Sequence, residues 1–180
     1  MANTLFADDI EVFDKSRFIT YMGSKRSFLD KVYRATSSII SSGRILDLFS
    51  GSGIVSAYLR FKGYEVHAND IAPYSHIINK ANLEVTKDNF DKRYPEFGEQ
   101  LNHVNSLTSP SANNEYFSKY FSENKKSGTK RLYYTEQNGL FIDAALEHIW
   151  SIKDSTLRNI ILADLLVKMS KHVNTTGMFM

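Results

Sequence analysis

Hydrophobic positions change their spacing several times along the chain, and each change marks an element. Phe18-Ile19-Thr20-Tyr21-Met22 is β-branched and aromatic and runs into Gly23-Ser24, which predicts a short extended segment ending in a turn. From about Lys25 onward Phe28, Leu29, Val32, Tyr33, Ile39 and Ile40 recur at helical spacing, with Gly43 placed to stop the helix. Ile45-Leu46-Asp47-Leu48-Phe49 is an apolar run with one acid inside it, bounded by Gly43 and by Ser50-Gly51-Ser52-Gly53. Such a run suits a strand buried on both faces. Helical spacing returns at Ile54, Val55, Tyr58 and Leu59 and ends near Lys62-Gly63. Glu65-Val66-His67-Ala68-Asn69 then alternates like a second strand and delivers Asp70 at its end. Strand, helix and strand with short connections predict a parallel βαβ unit.

A third helix is predicted after Pro73 from Ile77, Ile78, Ala81, Leu83 and Val85, since proline is accepted in a helix's first turn. Between Asp88 and Lys130 the apolar periodicity weakens, Asn, Ser, Tyr, Phe and Lys dominate, and Ser109-Pro110-Ser111 has the chemistry of a loop. This stretch reads as an insertion or arm. Two helices close the pattern, one over about Glu136–Trp150 and one over about Asp154–His172. The expected organisation is a βαβ region at 1–87, the arm at 88–135 and a helical region at 136–180.

Composition narrows the classes. With 180 residues, 42% of them hydrophobic, the chain can bury one ordinary core. It has no cysteine, which excludes disulfides, Cys-ligated zinc, iron–sulfur clusters and thiol nucleophiles. The amino terminus carries Asp8, Asp9, Glu11 and Asp14, unlike a signal or basic transit sequence. No uncharged run approaches the roughly 20 residues that span a bilayer. A net charge of +2 is too small to announce a nucleic-acid binder by itself. Lys15, Arg17, Lys25, Arg26, Lys31 and Arg34 nevertheless cluster against the single acid Asp30, as either a solvated helix face or a basic patch.

The chemistry concentrates at the first turn of the βαβ unit. Glycines there let main-chain N–H groups approach a polar ligand at a helix amino terminus. Gly51-Ser52-Gly53-Ile54-Val55-Ser56 puts Ser56 where a dinucleotide fingerprint has its third glycine, so that reading is imperfect. Two acids favour S-adenosyl-L-methionine instead. Asp47 lies inside the first strand, where a carboxylate needs a partner, either a methionine ammonium or nearby main-chain donors. Asp70 ends the second strand, where an acid can accept both ribose hydroxyls.

Phe18-Ile19-Thr20-Tyr21-Met22-Gly23-Ser24-Lys25-Arg26, Asp47-Leu48-Phe49-Ser50-Gly51-Ser52-Gly53-Ile54-Val55-Ser56 and Asn69-Asp70 follow one another in the order of a known set of motifs. Together they resemble the amino-terminal part of D12-class (Dam-like) DNA adenine-N6 methyltransferases. Arg131-Leu132-Tyr133-Tyr134-Thr135-Glu136-Gln137-Asn138-Gly139 and Ile142-Asp143 extend the resemblance over most of the chain. The resemblance implies an α/β, Rossmann-like S-adenosylmethionine-dependent methyltransferase fold, incomplete in this chain. It further implies that Tyr21 and Lys25 hold the methionine end of the cofactor, Lys25 taking its carboxylate. Asp47, Phe49, Ser50, Gly51, Ser52 and Gly53 would line the same moiety, Asp70 the ribose and Ile71 the adenine face. A surface lysine at a helix start is the alternative for Lys25.

One motif is missing. The family is expected to activate adenine N6 with an Asp/Asn-Pro-Pro-Tyr/Phe loop, while a ring stacks on the flipped base. Pro73, Pro95 and Pro110 are the chain's prolines, none adjacent, and Ala72-Pro73-Tyr74 lacks both the polar residue and the second proline. In the D12 arrangement that loop lies further downstream than this sequence reaches, so no catalytic residue is assigned here. The strand bearing the loop would lie beside Ile45–Phe49, whose edge would otherwise be open. The expectation is therefore a cofactor-binding part of a site-specific, cytoplasmic, bacterial or phage-encoded enzyme of a restriction–modification system. Its partners would be double-stranded DNA and a second polypeptide carrying the Pro-Pro loop, and it would be inactive without the latter. Tyr116, Phe117, Lys119, Tyr120, Phe121, Lys125, Lys126, Lys130 and Arg131 interleave rings and cations, which suits DNA contact and equally suits core packing with solvated charge. The alternative function is a non-catalytic DNA- or protein-binding subunit with a retained methyltransferase fold. Five histidines without metal-ligand spacing and the absence of a Gly-x-Ser-x-Gly elbow give no support to zinc or serine-hydrolase chemistry.

Overall fold

The computed structural model describes residues 13–15, 18–19, 24–85, 90–107, 113–124, 129–130 and 133–174. The chain divides into two compact units, Met1–Arg93 and Tyr94–Met180.

The first unit runs α1 (Leu29–Ile39), β1 (Arg44–Asp47), α2 (Ile54–Phe61), β2 (Glu65–Ala68), α3 (Pro73–Leu83) and α4 (Phe90–Arg93). β1 and β2 are parallel, with Ile45 opposite Val66 and Asp47 opposite Ala68. The predicted βαβ unit is present, and Pro73 opens α3 as expected. The extended segment predicted at 18–22 lies largely outside the described residues, and Phe18 and Ile19 themselves form no strand.

A core of Phe18, Leu29, Ile54, Ala57 and Tyr58 joins α1 to α2, with Phe13, Tyr33, Val55 and Phe61 packed against it. Phe13 and Tyr33 both meet Tyr58 edge-on, at 5.1 and 6.4 Å between centroids, while Phe13 stacks on Phe18 at 5.6 Å, both geometries that aromatic quadrupoles allow. Tyr58 Oη donates to Asp30 Oδ1 at 2.5 Å. Burial, with Asp30 beside it, pushes the phenol up to about 12. The two helices are thus tied through a polar contact at the edge of an apolar core.

One expectation fails here. The apolar run Ile45–Phe49 predicts a strand buried on both faces, but the strand ends at Asp47 and its residues alternate between exposed and half-buried. Successive strand side chains point to opposite faces. Asp47 shares one face with Ile45 and receives α2 through Ser56, whereas Leu46 on the other face is 60% exposed. Among the described residues β1 pairs with β2 alone. An apolar run reports that both faces want cover; it cannot say that the described chain supplies it.

The second unit holds α5 (Phe97–Asn105), α6 (Phe117–Tyr120), the antiparallel pair β3 (Glu123–Asn124) and β4 (Thr129–Lys130), α7 (Glu136–Ser151) and α8 (Ser155–Lys171). The stretch 88–130, whose weak periodicity suggests an insertion or arm, contains short helices and a strand pair. Those helices are only 4 to 9 residues long, too short to display a clear period. The last two helices fall where expected, each with a capping side chain. Thr135 accepts from Asn138 N, and Asp154 accepts from Thr156 N and Leu157 N, satisfying donors that a helix start leaves open.

Asp143, buried in α7, accepts from the main-chain N–H groups of Phe117 and Ser118 and from Ser118 Oγ at 2.7–2.9 Å. Three donors compensate a carboxylate that would otherwise be costly to bury, and they fix the start of α6 on α7. Gly139 lets α6 come close: a Cβ there would stand 2.7 Å from Ser118 Cα. His103 of α5 and His148 of α7 stack with centroids 4.0 Å apart, and His148 Nε2 meets Gln100 Oε1 at 2.8 Å.

Candidate functional site

The site in the first unit is built on the turn that follows β1. Asp47 ends the strand, Leu48 and Phe49 turn, and Ser50-Gly51-Ser52-Gly53 leads into α2. Gly51 and Gly53 have φ of +52° and +74°, a left-handed backbone that glycine adopts without steric cost. Gly53 N–H donates to Ser50 O at 2.8 Å and closes the turn.

The turn is anchored to the end of β2. Ser50 N–H and Ser50 Oγ both donate to Asn69 O, at 3.0 and 3.1 Å. Asn69 N–H donates to Asp47 O and Asn69 Nδ2 to Leu48 O. Gly51 N–H donates to Asp70 Oδ2 at 2.8 Å, and Ala72 N–H to Asp70 Oδ1 at 2.9 Å. The N–H groups of Ala72 and Gly51 hold the Asp70 carboxyl below its ordinary range, because they stabilise the charged form. Asp70 thus first fastens the turn; each oxygen keeps a further lone pair for another donor.

Asp47 has a side-chain partner that the strand pattern does not announce. Ser56 Oγ, from the first turn of α2, donates to Asp47 Oδ2 at 2.7 Å. Ser56 is fully buried. The residue that made the dinucleotide fingerprint imperfect is therefore the one that orients the strand acid. Its role was missed because sequence spacing alone does not say what a small helix residue faces. The available signal was a hydroxyl in the first turn of a helix that starts beside a half-buried strand acid.

Lys25, Asp47, Phe49, Ser50 and Ser52 line one pocket of about 280 Å³, with Val32, Ile54 and Val55 as its apolar wall. Lys25 and Asp47 give it one cationic and one anionic group. Asp70 is not among its lining; it borders a second cleft of about 460 Å³ between β2 and α3, with His67, His76, Asn79 and Lys80. Gly51 and Gly53 shape the turn, and Ile71, 99% exposed, stands beside Asp70. Tyr21 lies outside the described residues. Among the described residues no group of His, Asp and Glu has the arrangement of a metal site, and no helix is long and apolar enough to cross a membrane.

A strand acid, a left-handed glycine turn before a helix, and an acid after the second strand stand together at one end of the βαβ unit. The chain matches the model of the D12 class N6 adenine-specific DNA methyltransferase family over residues 21–180 and belongs to that family. Methylation of adenine N6 in DNA is the activity that this membership supports, and the family implies an S-adenosylmethionine-dependent methyltransferase fold. Comparison with curated proteins and with solved structures gave no significant match.

Proposed function

We propose that this chain is the cofactor-binding part of a site-specific DNA adenine-N6 methyltransferase, completed by a second polypeptide that carries the Asp/Asn-Pro-Pro-Tyr/Phe loop. The observation that carries the reading is the pocket at the glycine-rich turn that both Lys25 and Asp47 line. An α-amino acid carries a carboxylate and an ammonium, and this pair is their complement. Asp47 has acceptor capacity beyond the one bond from Ser56, since a carboxylate offers about four lone-pair positions.

The donor set therefore fits the methionine end of S-adenosylmethionine. The pocket's 280 Å³ sits at the lower limit of the roughly 300–1,000 Å³ typical of ligand clefts, so it suits one end of the molecule. The adenosine would extend toward Asp70 and Ile71. When bound, the cofactor supplies a sulfonium methyl: its S–C bond breaks as the bond to N6 forms, and N6 gives up a proton. Within this chain the residues orient the donor, and orientation is a large share of such a reaction's barrier. Deprotonation of N6 is assigned to the partner's loop.

The open side of β1 supports the partner. Leu46 and Leu48 are exposed and Phe49 is 89% exposed, next to a strand edge that has no neighbour among the described residues. An uncovered apolar edge of this kind invites pairing with another strand. In the second unit the exposed rings of Tyr116, Tyr120 and Tyr133, with Lys119 over the Tyr120 ring, fit contact with duplex DNA through phosphates and bases. The setting would be the cytoplasm of a bacterium or phage-infected cell, within a restriction–modification system.

The test is transfer of labelled methyl from S-adenosylmethionine to duplex DNA by this chain, alone and with a polypeptide bearing the Pro-Pro loop. Activity only in the mixture is expected. Full activity of the chain alone would refute the division of labour, and no activity in either would favour a non-catalytic DNA- or protein-binding subunit.

A further inference from the structure

The glycine-rich turn is held from a third direction, by a residue outside its motifs. Asn79, in the second turn of α3, is 7% exposed. Its Nδ2 donates to Ser50 Oγ at 2.9 Å and to the main-chain carbonyl of Ser75 at 2.8 Å. That carbonyl can only accept, so the nitrogen must face it, and the orientation of the amide follows. Both Nδ2 hydrogens are thereby used. Oδ1 is buried with no hydrogen-bond partner among the described residues. It lies against Gly53, where an added Cβ would overlap it. One side chain thus touches the first and last residues of the Ser50–Gly53 turn.

Stability alone does not account for this residue. A buried amide with an unsatisfied oxygen is destabilising, and an aliphatic side chain of similar size would fill the space without that cost. What an aliphatic residue cannot do is hold the Ser50 hydroxyl, which accepts from Asn79 while it donates to Asn69 O. Nor would it set a polar group against Gly53, the left-handed residue from which α2 starts.

We propose that Asn79 is a positioning residue of the methyl-donor site, fixing both ends of the Ser50–Gly53 turn and through them the affinity for S-adenosylmethionine. The proposal rests on the cofactor reading above. It is tested on the full chain with wild type, Asn79→Leu, Ser50→Ala and the double variant. Three quantities are measured: exchange of the Gly53 amide by NMR, S-adenosylmethionine affinity by calorimetry, and the thermal midpoint.

Asn79→Leu should speed Gly53 exchange about tenfold and weaken the cofactor about tenfold, with little change in the midpoint. Adding Ser50→Ala to it should cost less than Ser50→Ala costs alone, because the contact the two groups share is already gone and only the Ser50–Asn69 bond remains to be lost. Wild-type exchange and affinity in Asn79→Leu, or losses that add in full, would overturn the proposal. If wild type itself binds no S-adenosylmethionine, the cofactor reading fails, and the Gly53 exchange rate alone decides the role of Asn79. Should Asn79→Leu not fold cooperatively, Asn79→Ser replaces it with the same expected direction and the same overturning result.

Discussion

Gly51 and Asp70 stand 19 residues apart and are joined by a single hydrogen bond, Gly51 N–H to Asp70 Oδ2 at 2.8 Å. The acid at the end of β2 thereby sets the shape of the turn after β1, and the two halves of the βαβ unit meet at the site. Asp70→Asn places a donor amide where both neighbours, Gly51 N–H and Ala72 N–H, are donors. It should destabilise the first unit and weaken the cofactor together.

The same carboxylate makes a pH prediction. Its folded pKa is depressed below 3.8, so the unfolded chain binds the proton first as the pH falls. The stabilisation is complete above pH 3.8 and is lost as the pH drops from there through the lower folded value. Urea unfolding of wild type and Asp70→Asn between pH 6 and pH 3 should show the gap between them closing at the acid end. A gap independent of pH would contradict the assignment.

Ser56→Ala removes the 2.7 Å bond to Asp47 at a fully buried position. Hydrogen bonds to a charged group contribute about 1.5–3 kcal/mol, and a loss in that range is expected by urea unfolding. Cofactor affinity should fall as well, because Asp47 is no longer fixed.

Much of this architecture can be read in the sequence because local chemistry agrees with it. Pro73 opens α3, Asp154 caps α8, and Gly51 and Gly53 mark the turn. What cannot be read is what those elements meet. Leu46 looks like a doubly buried strand residue and is open on one face, since covering it depends on elements that its own segment does not encode. Asn79 gives no signal, and Ser56 only that of a hydroxyl near the strand acid, because the importance of each is a matter of which neighbour it faces across the fold. The second unit's α6 is a single turn held by Asp143 from α7, a long-range cap that no periodicity reveals.

Two glycine substitutions should separate packing from backbone entropy in the second unit. Gly139→Ala drives a Cβ to 2.7 and 2.9 Å from Ser118 main-chain atoms, which cannot swing aside, and about 1–3 kcal/mol of destabilisation is expected. Gly98→Ala, in α5 with open space around it, should stabilise by roughly 0.5–1 kcal/mol. Denaturant midpoints of the two variants moving in the same direction would contradict this packing.

His148 should make the second unit acid-sensitive. Burial, then the charge of His103 stacked on it, lowers its pKa below 6.5. The unfolded chain therefore takes up the proton first, and stability present above pH 6.5 declines as the pH falls through the folded value. His148→Gln should flatten the dependence of the unfolding midpoint between pH 7 and pH 5.

Calorimetric titration of the full chain with S-adenosylmethionine, set beside Lys25→Ala, bears most directly on the pocket at the glycine-rich turn. One site per chain is expected, with binding weakened in the variant by about 1.5–3 kcal/mol, the worth of a charge-assisted contact. Equal affinity in the two proteins, or binding of NAD but none of S-adenosylmethionine, would contradict a methyl-donor site built on Lys25, Asp47 and the Ser50–Gly53 turn.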